Sequence, residues 1–177
     1  MAAVSTTDPR LRALAHPVRL RMLSLLWSAP LSAAALAREL AISHALASQH
    51  LRRLDAAGLV ELADVRARRG GRERRYRAVR GPWLTEQQEG QPLLAESLAR
   101  NLLDRVAGRA PGTAGVTTDA ELWVSPDAWA AARRRLHAIM TELHDAAQPP
   151  HAPGTVRVGA TLMAFEMTDP PPAAEED

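Results

Sequence analysis

Residues 40–54 read LAISHALASQHLRRL, and this stretch decides the fold. Ser43 can cap a helix, because its hydroxyl can accept a hydrogen bond from a free amide of the first turn. Apolar residues then recur at a spacing of three or four, as on a buried helical face: Leu46, Ala47, Leu51 and Leu54. Ser32 precedes a shorter segment of the same kind. Two short helices joined by a tight turn predict a helix-turn-helix.

The second helix of this pair has a polar outer face. Its outward positions carry side chains that can form hydrogen bonds, namely His44, Ser48, Gln49, Arg52 and Arg53. In a helix-turn-helix, residues near the start of this helix contact base edges, and a basic last turn contacts phosphate. The pattern therefore predicts a DNA recognition helix.

An arginine-rich hairpin follows. Residues 59–65 and 75–79 predict two strands, and the loop between them, RARRGGRER, carries a glycine pair at its tip. Its arginines can lie along a phosphate backbone or enter a minor groove. The candidate DNA contacts are Arg68, Arg69, Arg72 and Arg74. Alone, such a loop could equally be a solvated surface; its order after the helix pair makes a DNA-binding wing the more specific interpretation.

Charge is distributed unevenly along the 177 residues. All basic residues are arginine; residues 1–80 hold 15 Arg against 6 acids, and residues 81–177 hold 7 Arg against 14 acids. A basic front half predicts a polyanionic partner, here double-stranded DNA.

Several motifs occur in an order that resembles the winged-helix domain of the ArsR family of bacterial transcriptional regulators. They are LAHPVRLRML at 14–23, the stretch at 40–54, AGLV at 57–60 and GRERRY at 71–76. The resemblance spans residues 11–79 and implies a mainly α fold with a small β wing. It also implies recognition positions at His44, Ser48, Gln49 and His50, and a wing contact at Arg72. We add Ser43, which begins the helix, to the candidate DNA contacts.

One residue departs from the family pattern at the turn between the two helices. Ala41 stands where the family often has glycine. Either the turn keeps a left-handed residue there, which costs of order 1 kcal/mol for an alanine, or the turn has a different shape.

Several classes of function are not expected. The chain has no cysteine, and no histidine between His50 and His137, so the helix after the wing cannot supply the thiolate or imidazole ligands that metal-sensing family members use. We expect no metal and no cofactor. No glycine-rich phosphate loop, nucleophile elbow or metal box is present, so an enzyme is not expected. No apolar run approaches the roughly 18–20 residues of a membrane span, and the N-terminus has no apolar signal core, so we expect a cytoplasmic protein.

The sequence divides into a DNA-binding domain (8–80), a dimerisation helix region (81–109) and an αβ extension (119–168), with flexible tails at 1–7 and 169–177. Between Pro92 and Gly108 an apolar stripe has no evident partner within the winged helix: Leu94, Leu98, Leu102 and Val106. It predicts a two-fold homodimer that reads an inverted repeat.

The extension predicts a β-α-β unit. Residues 122–124 predict a short strand, and a helix is predicted after Ser125. Residues 156–164 alternate apolar and polar, which predicts a second strand. Sparse large side chains could wall an apolar pocket: Trp123, Met163, Phe165 and Met167.

The sequence thus predicts a DNA-binding transcriptional regulator that acts as a repressor. One alternative is a regulator that responds to a small apolar effector bound in its C-terminal half. Another is a winged helix that serves as a protein-interaction module, which the polar and basic recognition face argues against.

Overall fold

The computed structural model describes residues 9–68, 71–79 and 91–168. In chain order the elements are α1 (Pro9–Leu14), α2 (Pro17–Ser28), β1 (Leu31–Ser32), α3 (Ala33–Leu40), α4 (His44–Ala56), β2 (Val60–Arg68), β3 (Gly71–Ala78), α5 (Gln91–Ala107) and α6 (Pro126–Asp145). The strands form one antiparallel sheet in the order β1-β3-β2. Three helices followed by a hairpin make a winged helix-turn-helix, as predicted.

Side-chain caps set the starts of three helices. The Val18 amide donates to His16 Nδ1 at 3.2 Å, which begins α2. The Ala35 amide donates to Ser32 Oγ at 3.3 Å and the Leu46 amide to Ser43 Oγ at 3.2 Å. These bonds satisfy amides that have no partner within their helices, so the helix starts are encoded locally.

The core lies where α1 to α4 meet the sheet. Its most deeply buried apolar side chains are Leu11, Met22, Leu26, Leu36 and Leu54. They come from four different helices, so α3 and α4 are held against the rest of the domain by packing. This packing leaves the opposite side of α4 facing outward.

Ala41 adopts the left-handed conformation that the turn requires. Its φ and ψ angles are 52° and 44°, and the next amide, of Ile42, donates to the Ala37 carbonyl at 3.0 Å. The turn therefore keeps the geometry that glycine favours, although the residue is alanine.

We expect Ala41→Gly to raise the free energy of unfolding by about 0.5 kcal/mol. Removing Cβ relieves roughly 1–2 kcal/mol of left-handed strain, and the more flexible unfolded chain takes back roughly 0.4–1 kcal/mol. Urea denaturation followed by circular dichroism measures the change. Ala45→Gly, at an exposed position in α4, is the matched control and should destabilise. A loss of stability at both positions would contradict the strain at Ala41.

The hairpin is longer than predicted. β2 continues to Arg68 and β3 begins at Gly71, with Arg66 opposite Glu73 and a register shift between Leu62 and Asp64. Most of the nine residues assigned to the loop are strand, because ladder hydrogen bonds need no apolar side chain and both faces are polar there. The third strand, β1, had no sequence signal; Leu31 pairs with Tyr76.

The apolar stripe on α5 is only partly free, which corrects the prediction that it has no partner. Leu94 is buried and Leu98 packs against the core, because α5 lies on α1 and α2. Leu102 and Val106, in the last two turns, are 46% and 59% exposed. The buried side of α5 also carries Asn101, whose Nδ2 donates to the Pro17 carbonyl at 3.2 Å.

The predicted β-α-β extension contains only its helix. Among the described residues, neither 122–124 nor 156–164 belongs to a strand, and α6 has no buried residue. A pair of short parallel strands has little stability without further strands. The extension contacts the winged helix: the centres of the Trp27 and His144 rings lie 5.0 Å apart, and His151 Nε2 lies 3.1 Å from Glu39 Oε2.

Candidate nucleic-acid interface

Helix α4 presents most of its predicted recognition residues to solvent. Ser43, His44 and Gln49 are exposed near its start, Arg52 and Arg53 are exposed further along, and Ser48 is half-buried. This exposure follows from the burial of Ala47, Leu51 and Leu54 on the other side.

His50 is the exception and corrects the prediction made by resemblance. It is 4% exposed, and its ring lies against that of His16 with the centroids 4.5 Å apart. It lies on the inward side of α4 with the buried Ala47 and Leu54, and its contact with His16 packs the start of α2 against α4. A side chain in this place cannot reach a base without repacking the core.

The environment of His50 is apolar and positively charged. Burial lowers the pKa of His50 to about 4, and His16, Arg19 and Arg53 add to the shift. Burial also lowers the pKa of His16, with Arg19 and Arg53 contributing. Both rings are therefore neutral at pH 7, and His16 Nδ1 is free to act as an acceptor for the cap of α2.

The wing places two of its four predicted arginines next to α4. Arg72 and Arg74 are exposed on β3, and the Arg74 guanidinium lies 5.9 Å from the centre of the Tyr76 ring. The backbone of Arg68 ends β2, but its side chain lies outside the described part of the structure, and Arg69 lies outside it altogether.

A cleft of about 390 Å³ lies between α4 and the wing. His44, Ser48 and Arg52 line it from the helix, and Arg72 and Arg74 line it from β3. Residues that the sequence assigns to two separate DNA-contacting elements therefore meet at one concave surface. Gln49 and Arg53 lie on α4 outside this lining.

Ser32 and Glu73, which the sequence did not assign to the interface, join two sides of the cleft. Ser32 Oγ donates to Glu73 Oε1 at 2.5 Å, while the same oxygen accepts the cap bond of α3. This bond ties the first helix of the pair to the wing. The capping position of Ser32 was readable from the sequence, whereas its contact with a residue 41 positions away was not.

The arginines near the cleft differ in how their charge is used. Arg75 Nε lies 3.0 Å from Asp64 Oδ1, and Arg77 Nε lies 2.6 Å from Glu61 Oε1. Both arginines are therefore paired with carboxylates within the hairpin. Within the described ranges, Arg52, Arg53 and Arg72 form no ion pair with a carboxylate. Their charges are available to a phosphate backbone.

Residues 14–63 match a family described as a helix-turn-helix domain. The match covers α2, α3, α4 and the start of β2, and it includes α3 and α4, the two helices that line the cleft. It indicates a DNA-binding transcription regulator.

One similar solved structure is that of reduced HlyU from Vibrio cholerae N16961. It is 26% identical, and the alignment covers 56% of this chain and 85% of that chain with a TM-score of 0.32. That TM-score is too low to carry an argument about the shared fold. Among curated proteins none matches this chain.

Outside the helix-turn-helix domain, the predicted pocket residues are not brought into an enclosed space. Trp123, Phe165 and Met167 are well exposed, and Met163 is 39% exposed. The apolar effector stays a prediction. In the part of the chain that is described, no three His, Cys, Asp or Glu side chains are grouped so as to hold a metal ion. No described helix is long and apolar enough to cross a membrane.

Proposed function

We propose that this protein is an ArsR-type transcriptional repressor that binds an inverted repeat in double-stranded DNA as a homodimer. The observation that carries the proposal is the cleft between α4 and the wing, where His44, Arg52 and Arg72 converge. A recognition helix that faces the same surface as unpaired wing arginines can read a major groove while the wing holds the adjacent backbone.

The roles divide by position along α4. Ser43 caps the start of α4, and His44, Ser48 and Gln49 lie in its first half; these residues face base edges. Arg52 and Arg53 lie in the second half and contact phosphate. In the wing, Arg72 and Arg74 contact the backbone, and Arg68 and Arg69 extend this contact toward the hairpin tip.

The proposed dimer uses the part of α5 that the core leaves open. Leu102, Leu103 and Val106 are exposed in its last two turns. Pairing these residues about a two-fold axis would place two recognition helices about one DNA turn, ~34 Å, apart. A dimer that covers two half-sites keeps other proteins off that DNA, which is the physical basis of repression.

The readout is tested with Gln49→Ala and Arg72→Ala. A cognate site is first selected from a random DNA pool, and affinity is then measured over a series of salt concentrations. Gln49→Ala should cost about 1–3 kcal/mol on cognate DNA and relax preference at one base pair. Arg72→Ala should weaken binding to all sequences and lower the salt slope by about 1.

Arg77→Ala is the matched control for the wing, because Arg77 is exposed on the same strand but already bonded to Glu61. It should change the salt slope less than Arg72→Ala does. If Gln49→Ala binds cognate and scrambled DNA as the unchanged protein does, α4 is not the recognition helix.

A further inference from the structure

The last described segment of the chain has backbone groups without partners. Residues 155–168 run without helix, turn or bend. Among the described residues, no backbone–backbone hydrogen bond involves residues 156–168. Backbone N–H and C=O groups are strong hydrogen-bonding groups that folded chains normally pair. A run of this length is available to pair with another strand.

The residue pattern of the same segment is that of a strand. Val156, Val158, Ala160, Leu162 and Ala164 alternate with the residues between them, and only Gly159 disfavours a strand. Val156 and Val158 are 84% and 66% exposed, and Phe165 and Met167 are exposed too. A strand-like segment with open backbone groups and open apolar side chains is the geometry that recruits a further strand.

Helix α5 holds one side of this segment in place. Arg105 Nη1 donates to the Ala160 carbonyl at 2.7 Å and to Thr161 Oγ1 at 2.5 Å. A Cβ on Gly159 would lie 3.4 Å from Cδ of Arg105, so the backbone passes close to that side chain. The segment is therefore anchored beside the exposed apolar residues of α5, with its other side open.

The exposed apolar area is that of an interface. Large apolar side chains that are 39% exposed or more occur in α5 and the extension: Leu93, Leu102, Leu103, Val106, Leu122, Trp123, Val124, Ile139, Leu143, Val156, Val158, Leu162, Met163, Phe165 and Met167. One such side chain offers roughly 60–120 Å² when fully exposed. At these exposures the set leaves on the order of 800 Å² in total, about the area that each partner contributes to a standard interface.

We propose that residues 156–164 pair antiparallel with the same segment of a second copy, so that the C-terminal halves form one shared sheet. A second copy fits because antiparallel pairing of a segment with itself about a two-fold axis is self-complementary. It also continues the exposed surface of α5 through Arg105. The inference extends the dimer of the proposed function into the C-terminal half, and its test does not involve DNA.

The absence of cysteine makes the test direct. Single cysteines are placed one at a time at positions 158 to 164, and disulfide-linked dimers are quantified on non-reducing gels after mild oxidation. A disulfide needs Cα atoms about 4.4–6.8 Å apart. Because strands rise about 3.4 Å per residue, each step from the two-fold axis separates symmetry mates by about 7 Å more along the strand. Cross-linking should therefore peak at one position and fall off within two residues.

Val116→Cys is the control for random collision, since Val116 is 97% exposed and lies outside the segment. Val106→Cys reports on α5 separately. Cross-linking at positions 158 to 164 no greater than that of Val116→Cys would overturn the proposal, as would uniform cross-linking along the segment. If Val106→Cys cross-links while the segment does not, the result supports the α5 dimer and contradicts the shared sheet.

A second variant tests the same surface by charge. Leu162→Lys should raise the dimer dissociation constant at least tenfold in sedimentation velocity, whereas Val116→Lys should leave it unchanged. Equal behaviour of the two variants would contradict the shared sheet. DNA binding by selection from a random pool is scored separately, so failure of the repressor proposal and failure of the shared sheet give different results.

Discussion

Replacing Leu54 by alanine is expected to lower the free energy of unfolding by about 2–5 kcal/mol. Leu54 is fully buried on the inward side of α4 and packs within the core formed by the other helices. Truncating it removes apolar contacts and leaves a cavity that the surrounding helices fill only in part. Because domains of this size are stable by about 5–15 kcal/mol in total, the loss is a large fraction.

Urea denaturation followed by circular dichroism measures the effect, and DNA affinity should fall with the folded fraction. Leu46→Ala is the matched control, since Leu46 lies on the same helix and is 37% exposed. It should change stability far less. If the two variants lose similar stability, α4 does not pack in the orientation described, and the assignment of its outer face would fail with it.

Acidification is expected to destabilise the protein through His50. Burial, followed by the charges of His16, Arg19 and Arg53, lowers the pKa of His50 to about 4 from the ordinary 6.5. Above pH 6.5 the ring is neutral in both folded and unfolded chains. Between pH 6.5 and 4 the unfolded chain binds a proton that the folded chain does not, so stability falls as the pH falls through this window.

The expected loss from His50 is about 3 kcal/mol by pH 4, since each pKa unit corresponds to about 1.4 kcal/mol. Denaturation curves at pH 7, 5.5 and 4.5 measure it. His50→Leu replaces the imidazole with an apolar, non-titrating side chain of similar size. It should reduce the dependence of the free energy of unfolding on pH in this window. The depressed pKa of His16 acts in the same direction, so some dependence remains.

His44→Gln serves as the control, because His44 is exposed on α4. It should leave the acid-induced loss as in the unchanged protein. A His50→Leu variant that loses as much stability as the unchanged protein between pH 7 and 4.5 would show that His50 is not the buried neutral group described.

The helix-turn-helix could be predicted because its determinants are close together in the chain. The caps at Ser32 and Ser43 act over three residues, and the apolar spacing within α4 acts over one or two turns. The sequence left two shapes open for the turn at Ala41, and the structure shows the left-handed one. The outward positions of α4 followed from its inward ones, with two exceptions: Leu46, predicted on the buried face, is 37% exposed, and His50, predicted as a recognition residue, is buried.

The wing was predicted in kind but not in extent. The sequence predicted an arginine-rich hairpin with a glycine pair. Its strands extend to Arg68 and Gly71, because backbone pairing does not depend on apolar alternation. The pairing of Leu31 with Tyr76 joins residues far apart in the chain, and no local pattern marks β1.

The helix pair and its caps could be predicted from the sequence alone, because they depend on residues within a few turns of one another. The basic charge of the front half follows directly from its composition. Which polar side chains are exposed to solvent depends on the tertiary structure: His50 lies on the inward side of α4, and Asn101 is buried against Pro17. It likewise decided that Leu94 and Leu98 pack on the winged helix while Leu102 and Val106 stay open. The physical reason is that periodicity marks a face as apolar, but which element covers that face depends on chain segments distant in sequence.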